Sequence, residues 1–379
     1  MKKLLSFLLL IILASCGESG NAEKSEPVNI LENLQIMVDT LTIEASGEIF
    51  MPDMLFAQAQ NADGNLIFSF YEPDFEFFEI SLEKRQLLKR HPFQREGPNG
   101  IKGWMVSFQM LDTDEIFLRD ELGPNLFGLD GIKTKAYELD FESILGFKAE
   151  GPFSQQDDLH ISPDKSRFVF LPMNFGEPVK GLASIEIKNQ TGKILEIPAL
   201  DLTSKFQVIW QEGNSSAFFG DAIQLQLIND QFIVFSGATS DVYSYDYQLD
   251  SLRLITFDHQ LVENSKSGEF ETVADTRERQ METVAQIRKQ ITFNKFYWDP
   301  SRNMYFRFGT KNFVMPSKDV QRSADCYLFA YDENLNLVGE KFLEEFKNIP
   351  YSGYFYNGQF YSYTPVADEA GFAVFTLKF

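Results

Sequence analysis

Six times along the chain a short, aromatic-rich segment follows a turn built on Asp, Asn or Gly. The segments are NLIFSF (65–70), EIFLRD (115–120), SRFVFLP (166–172), QFIVFSG (231–237), NMYFRFG (303–309) and GQFYSYT (358–364). Their spacing, roughly 50 to 70 residues, is the period of a four-stranded β-propeller blade. The chain therefore reads as all-β, a six-bladed β-propeller of antiparallel blades. With 38 Phe, 14 Tyr and 3 Trp it has bulky side chains for a large core.

Each unit reads as four strands. In the first, MLFAQAQ (54–60), NLIFSF, FEFFEIS (75–81) and RQLLKR (85–90) are separated by Asn61–Gly64 and by Glu83–Lys84. The middle strands are almost continuously apolar, as expected of strands covered on both faces by neighbouring sheets. The second unit reads as WMVSFQML, EIFLRD and then AYELDFESILGF (136–147) for its last two strands. The third places its outer pair at 182–198, the fourth at 242–257 and the fifth at 326–342. In the sixth the chain stops at Phe379 one strand short, and QIMVDTLTI (35–43) has no partner of its own. Placing 35–43 beside 372–379 closes the ring and removes exposed sheet edges.

The N-terminus is of another kind. Residues 1–16 read MKKLLSFLLLIILASC: two lysines, an apolar run too short for a permanent span, then Leu13-Ala14-Ser15-Cys16. This ending resembles the lipobox of bacterial lipoproteins, in which the cysteine is acylated and becomes the new N-terminus. It implies lipid attachment at Cys16, a flexible tether over 17–30 and a single domain over 31–379. Gly17 follows the cysteine in place of an Asp, and the resemblance then implies an outer-membrane lipoprotein of the cell envelope, facing periplasm or surface.

Charge and cysteine usage narrow the classes. The chain carries 55 acidic against 34 basic residues, a formal net charge of −21. Nucleic acid is excluded as a partner, because backbone binding needs a concentrated basic patch. Cys326 is the only cysteine beyond Cys16. It falls in the apolar string DCYLFAYD and reads as a small buried hydrophobe. His91, His160 and His259 are isolated in sequence, so no zinc spacing exists, and no Gly-x-Ser-x-Gly elbow, phosphate-cradling glycine loop or EF-hand loop is present. His160, two residues before Ser162 in a strand, reads as structural.

The string ISPDKSRFVF in the third unit is similar to the Ser-Pro-Asp turn of TolB-like six-bladed propellers. Together with the lipobox, EGPNGI (96–101) and YWDPSRNMYFRF (297–308), it resembles a family of Bacteroidota lipoproteins known as a domain of unknown function. That resemblance spans nearly all of the mature chain and implies a fold and a location, not a reaction.

In a propeller the first-to-second and third-to-fourth turns share one side, and the remaining connections share the other. The first set is short throughout. The second holds 91–103, 121–135, 148–156, 173–181, 199–220, 258–290 and 310–325, so a binding face is expected there, near the central channel. Candidate binding residues on it are Arg95, Glu96 and Asn99 of REGPNGIKGW, Asn174 and Phe175 of MNFGEP, and Trp210 of KFQVIWQEGNSS. The last three could stack on and hydrogen-bond to a sugar. Within 258–290, Met281, Val284, Ile287 and Ile291 approximate a helical stripe, and Asp275–Arg279 has i,i+4 spacing.

No catalytic residues and no metal ligands are assigned. The leading reading is a non-enzymatic, lipid-anchored platform binding an envelope protein or a carbohydrate. The alternative is a propeller hydrolase or lyase acting on a carbohydrate or lactone, with Ca²⁺ held by acidic residues in the central channel.

Overall fold

The computed structural model describes residues 29–45, 59–60, 66–71, 75–103, 105–111, 114–148, 159–174, 177–213, 215–316, 318, 320–350, 352–366 and 369–379. The expected signal segment with Cys16, most of the expected tether and Phe175 lie outside them. Among the described residues there are six four-stranded sheets and one three-stranded sheet. The first sheet is Ala59–Gln60, Leu66–Tyr71, Glu76–Ser81 and Gln86–Pro92. The second is Met105–Met110, Glu115–Asp120, Gly123–Gly128 and Lys133–Ala136. The third is His160–Ile161, Arg167–Phe170, Leu182–Glu186 and Thr191–Leu195. The fourth is Ile223–Ile228, Gln231–Ser236, Thr239–Asp246 and Ser251–Ile255. The fifth is Thr292–Asp299, Met304–Val314, Ser323–Asp332 and Leu337–Phe342. Within each of these the strands pair antiparallel in chain order.

Turn chemistry sets these hairpins. Asn229 and Asp230 have φ of 49° and 57°, and Asn357 and Gly358 have 48° and 72°. Both pairs lie in two-residue turns, where consecutive positive φ values match the strand twist and favour Asn, Asp and Gly.

The sixth sheet joins the chain ends. Tyr354–Tyr356, Gln359–Val366 and Glu369–Lys378 are followed by Gln35–Thr42, paired antiparallel from Gln35↔Lys378 to Thr42↔Gly371. This is the closure expected from the unpaired segment 35–43. The flanking residues extend it. Asn29 donates to the Glu340 carbonyl at 2.9 Å and accepts from the Glu340 amide at 3.0 Å, so the end of the expected tether is fixed to the fifth sheet. Glu44 bridges to Gln86 on the first.

Apolar packing follows a circuit. Phe77 and Phe93 meet Phe108 and Phe127 between the first and second sheets, and Phe117 meets Phe168 between the second and third. Val169 with Tyr245, Phe235 with Phe296, and Phe306 with Phe355 continue the series. Leu41, Phe372 and Val374 then pack on Phe78 and Ile80, joining the sixth sheet to the first. Side chains on the leading strands also tie the second sheet through to the fifth. Gln109 donates to the Ile161 carbonyl at 2.9 Å and accepts from its amide at 3.2 Å. Gln226 holds Phe296 in the same two-way manner, at 2.8 and 3.2 Å. Between these two, His160 bonds the backbone of Leu225. The result is a mostly β, propeller-like circuit of sheets.

Several local expectations are corrected. The last two strands of the second sheet are Gly123–Gly128 and Lys133–Ala136, not 136–147, and the supposed long connection 121–135 holds a turn at Glu121–Leu122. Residues Phe141–Leu145 form a short helix, α1. Asp140 caps it by accepting from the Ser143 amide at 3.1 Å, and Gly146, at φ 67°, ends it. The fold thus holds more than one helical insertion.

The larger elaboration comes from two connections folding together. Residues 196–222 carry a 3₁₀ helix, Pro198–Phe206, and the hairpin Gln207–Glu212/Ser215–Gly220, where the sequence read a loop around Trp210. Residues 256–291 contribute Val273–Ala274, which pairs parallel with that hairpin, and helix α2, Arg277–Ile287. Val284 and Ile287 of α2 are buried as expected, with Phe206, Val208 and Ala274, and Met281 is half-buried. Ile291 is buried beyond the helix end. Arg279 pairs with Glu271 and Glu282, not with Asp275.

Candidate functional site

A cavity of about 560 Å³ lies where the leading strands of the fourth, fifth and sixth sheets begin. Gln224, Thr292, Phe293, Asn294, Lys295 and Ser352 come from the circuit of sheets. Phe206, Gly220, Asp221, Lys266, Val284, Ile287 and Arg288 come from the two folded connections and close the opposite wall. The site therefore sits on the side that carries the long connections.

Its charged wall is cationic. Lys266 forms a salt bridge to Asp221, with the two side chains 1% and 9% exposed, and also donates to Thr292 Oγ1 at 2.9 Å. Burial holds the Lys266 ammonium below its usual pKa, opposed by Asp221. Burial also lowers Arg288, which feels attraction from Asp221 and repulsion from Arg322. The Arg288 guanidinium lies 5.1 Å from the Phe313 ring centroid and contacts Met315 Sδ. Half-buried Lys295 has its pKa lowered by desolvation alone. Its contact is the Tyr297 ring, 5.5 Å from Nζ to the centroid, and no carboxylate among the described residues pairs with it. Three cations thus share the wall with one carboxylate.

Two glycines keep this wall open. A Cβ on Gly220, at φ 148°, would lie 2.4 Å from the Phe206 carbonyl oxygen. On Gly237 it would lie 2.5 Å from Asp221 Oδ1, so only glycine leaves the Asp221–Lys266 pair its room.

Arg307 shapes the site from behind. It is fully buried and its guanidinium donates to Asn294 O at 2.7 Å, Ser240 O at 2.9 Å and Ser236 O at 3.2 Å. Phe296, Phe293 and Phe235 surround it at 4.7, 4.9 and 5.7 Å. Desolvation lowers its pKa to about 10. The bonded Asn294 lies in an irregularity between Phe293 and Phe296, where the leading strand slips register against its neighbour. Such a bulge re-aims side chains. Arg307 therefore pins the segment that presents Asn294 and Lys295 to the fourth sheet.

A second cavity, about 380 Å³, lies beside the first and shares Ala222 with it. Met173, Pro178, Val179, Leu200, Phe218 and Ile223 make its wall mainly apolar.

Of the loop residues singled out from sequence, the described ones, Arg95, Glu96, Asn99, Asn174 and Trp210, are not gathered at either cavity. Arg95 and Glu96 are exposed, with Arg95 over the Phe75 ring at 4.3 Å. Asn99 accepts from the Lys133 amide at 3.1 Å, stitching the first-to-second connection to the second sheet. Asn174 is buried and donates to the Lys148 carbonyl at 3.4 Å. Trp210 packs beneath α2 with Arg277 at 5.4 Å from its ring. Sequence reasoning missed Asp221, Lys266, Arg288 and Lys295. For Arg307 a signal was on the page, since it stands inside the quoted string YFRF.

Histidines and cysteine have structural surroundings. His160 is desolvated and its pKa is lowered to about 4. His91 links Glu79 at 2.8 Å to the Leu129 carbonyl at 3.0 Å. His259 lies among Phe257, Phe293 and Phe329 and faces Glu340 at 3.3 Å. Burial raises Cys326 to about 11, which keeps it a thiol. Among the described residues, no three His, Cys, Asp or Glu side chains gather as a metal site, and no helix is long and apolar enough to cross a membrane.

Residues 27–342 match the model of the family described as Domain of unknown function (DUF4221), and the chain belongs to that family. It is similar in structure to a DUF4221 member from Bacteroides vulgatus, with TM-score 0.63 and 11% identity over 93% of this chain and 99% of that one. It is also similar to a Bacteroides fragilis protein described as exported, with TM-score 0.51 and 7% identity over 93% and 97% of the two chains. At such identities the likeness speaks for the fold alone. No curated protein matches the chain.

Proposed function

We propose that the chain is a six-bladed β-propeller lipoprotein, anchored through Cys16 to the outer membrane, that works as a binding platform. The cyclic order of the six interfaces supports the propeller reading. The lipobox supports the location. One observation carries the functional part: the larger cavity is walled jointly by the leading strands and by the two connections folded over them. Ligand sites favour such concave junctions, with apolar walls and a few placed polar groups.

The enzymatic alternative finds less support there. The wall holds one carboxylate, Asp221, and Lys266 pairs with it. Paired-carboxylate acid–base chemistry needs two. Exposed Arg95 and Glu96, on the same side by topology, are proposed as contacts for a larger partner.

The test is to incubate the purified mature protein with the low-mass fraction of an envelope extract. The platform reading expects a raised melting temperature and recovery of the ligand unchanged. Consumption of that ligand by substoichiometric protein would overturn it in favour of catalysis. For the anchor, Cys16→Ser is expected to release the protein from the membrane fraction.

A further inference from the structure

We propose that the larger cavity takes a small organic anion, a carboxylate or phosphate carried on a hydroxyl-bearing scaffold, with Lys295 and Arg288 as its charge partners. The assignment rests on the platform reading above and adds the chemistry of the ligand.

The argument starts from charge. This is a chain of net charge −21, yet the cavity wall holds Lys266, Arg288 and Lys295 against Asp221 alone. Lys266 is already charge-paired, since Asp221 and Thr292 take two of its three donors within the wall. Among the described residues, the charged end of Lys295 meets the Tyr297 ring and no carboxylate. Arg288 stacks on Phe313, its contact with Met315 is to a neutral sulfur, and the same ring carries Arg322 on it at 5.1 Å. Among the described residues, neither Lys295 nor Arg288 therefore has a carboxylate in a salt bridge, and Asp221, which attracts Arg288 from farther off, is already paired with Lys266. A cation held away from water gains most from an anion that also accepts its hydrogen bonds.

Neighbouring groups define the remainder of the ligand. Asn294, Gln224 and Ser352 offer amide and hydroxyl groups suited to ligand hydroxyls, while Phe206 and Phe293 supply apolar wall. A volume of about 560 Å³ suits a molecule the size of a sugar acid or sugar phosphate. The sequence reading placed a sugar at Asn174, Phe175 and Trp210; the charges point to an acidic one in this cavity.

Calorimetric titration of the full mature protein with D-glucuronate, glucose 6-phosphate and glucose tests this, because the probes differ in charge on one scaffold. At least one anionic probe is expected to bind about tenfold or more tighter than glucose, with affinity falling as salt rises. Lys295→Gln and Arg288→Gln are each expected to weaken that binding by about tenfold or more while melting like the wild type. Preference for glucuronate would select the carboxylate source and preference for the sugar phosphate the phosphate source. Glucose binding equally well, or affinity untouched in both variants, would overturn the anion assignment while leaving the platform reading in place. No binding by any of the three probes would also overturn the assignment; the extract experiment then tests the platform alone.

Discussion

At the scale of single residues, buried Arg307 and half-buried, desolvated His160 give the sharpest tests of how the molecule is held. Among the described residues no carboxylate bonds Arg307; three backbone carbonyls, from Ser236, Ser240 and Asn294, hold it together with the Tyr331 hydroxyl. Arg307→Met would strand those acceptors, and urea denaturation is expected to show a loss of about 3 kcal/mol or more. His160 gives a pH signature. Its pKa is about 4 in the fold against 6.5 ordinarily, so the unfolded chain binds the extra proton between those values. Stability from this group is full above pH 6.5 and is lost as pH falls toward 4, amounting to ~3 kcal/mol at most. His160→Gln, which keeps a donor for Leu225, is expected to flatten the urea midpoint against pH across that window. An unchanged slope would show that His160 is solvated.

At the scale of elements, the hairpin turns and the closure by the unpaired segment 35–43 were legible in the sequence, while a short capped helix and the cavity were not. The hairpins declared themselves because Asn229-Asp230 and Asn357-Gly358 carry their turn geometry in their own chemistry. The second sheet was misread because the apolar, aromatic string around Phe141 looks like a strand. Its helix signals are an Asp at 140 and a Gly at 146, which act only through cap geometry. Gly123-Pro124 looked like a loop, yet it opens a strand. The cavity was illegible for another reason. Asp221 and Lys266 meet from 45 residues apart, and a strongly acidic composition hides a cationic site that three long-range elements assemble. The folded connections have their own test in Gln280, which is fully buried and donates to the Val208 and Ala217 carbonyls at 2.9 and 2.8 Å. Gln280→Ala is expected to loosen this element by about 1–3 kcal/mol, read as faster amide exchange over 207–220. Exchange in the first and sixth sheets should not change.

At the scale of the whole molecule, the N-terminal segment matters beyond its length. Asn29 holds the fifth sheet, Gln35–Thr42 completes the sixth and Glu44 reaches the first, so one short stretch spans three neighbours. The cavity depends on that closure, because Ser352 enters its wall from the segment leading into the sixth sheet. Removing residues 29–42 would leave the strand Glu369–Lys378 as an unpaired edge, and the shortened protein is expected to aggregate on purification. The direct measurement is native-state hydrogen exchange of the intact mature chain. A closed ring predicts that amides of 35–42 exchange as slowly as those of 369–378, through one shared opening. Fast, independent exchange of 35–42 would contradict it, and with it the closure on which the larger cavity rests.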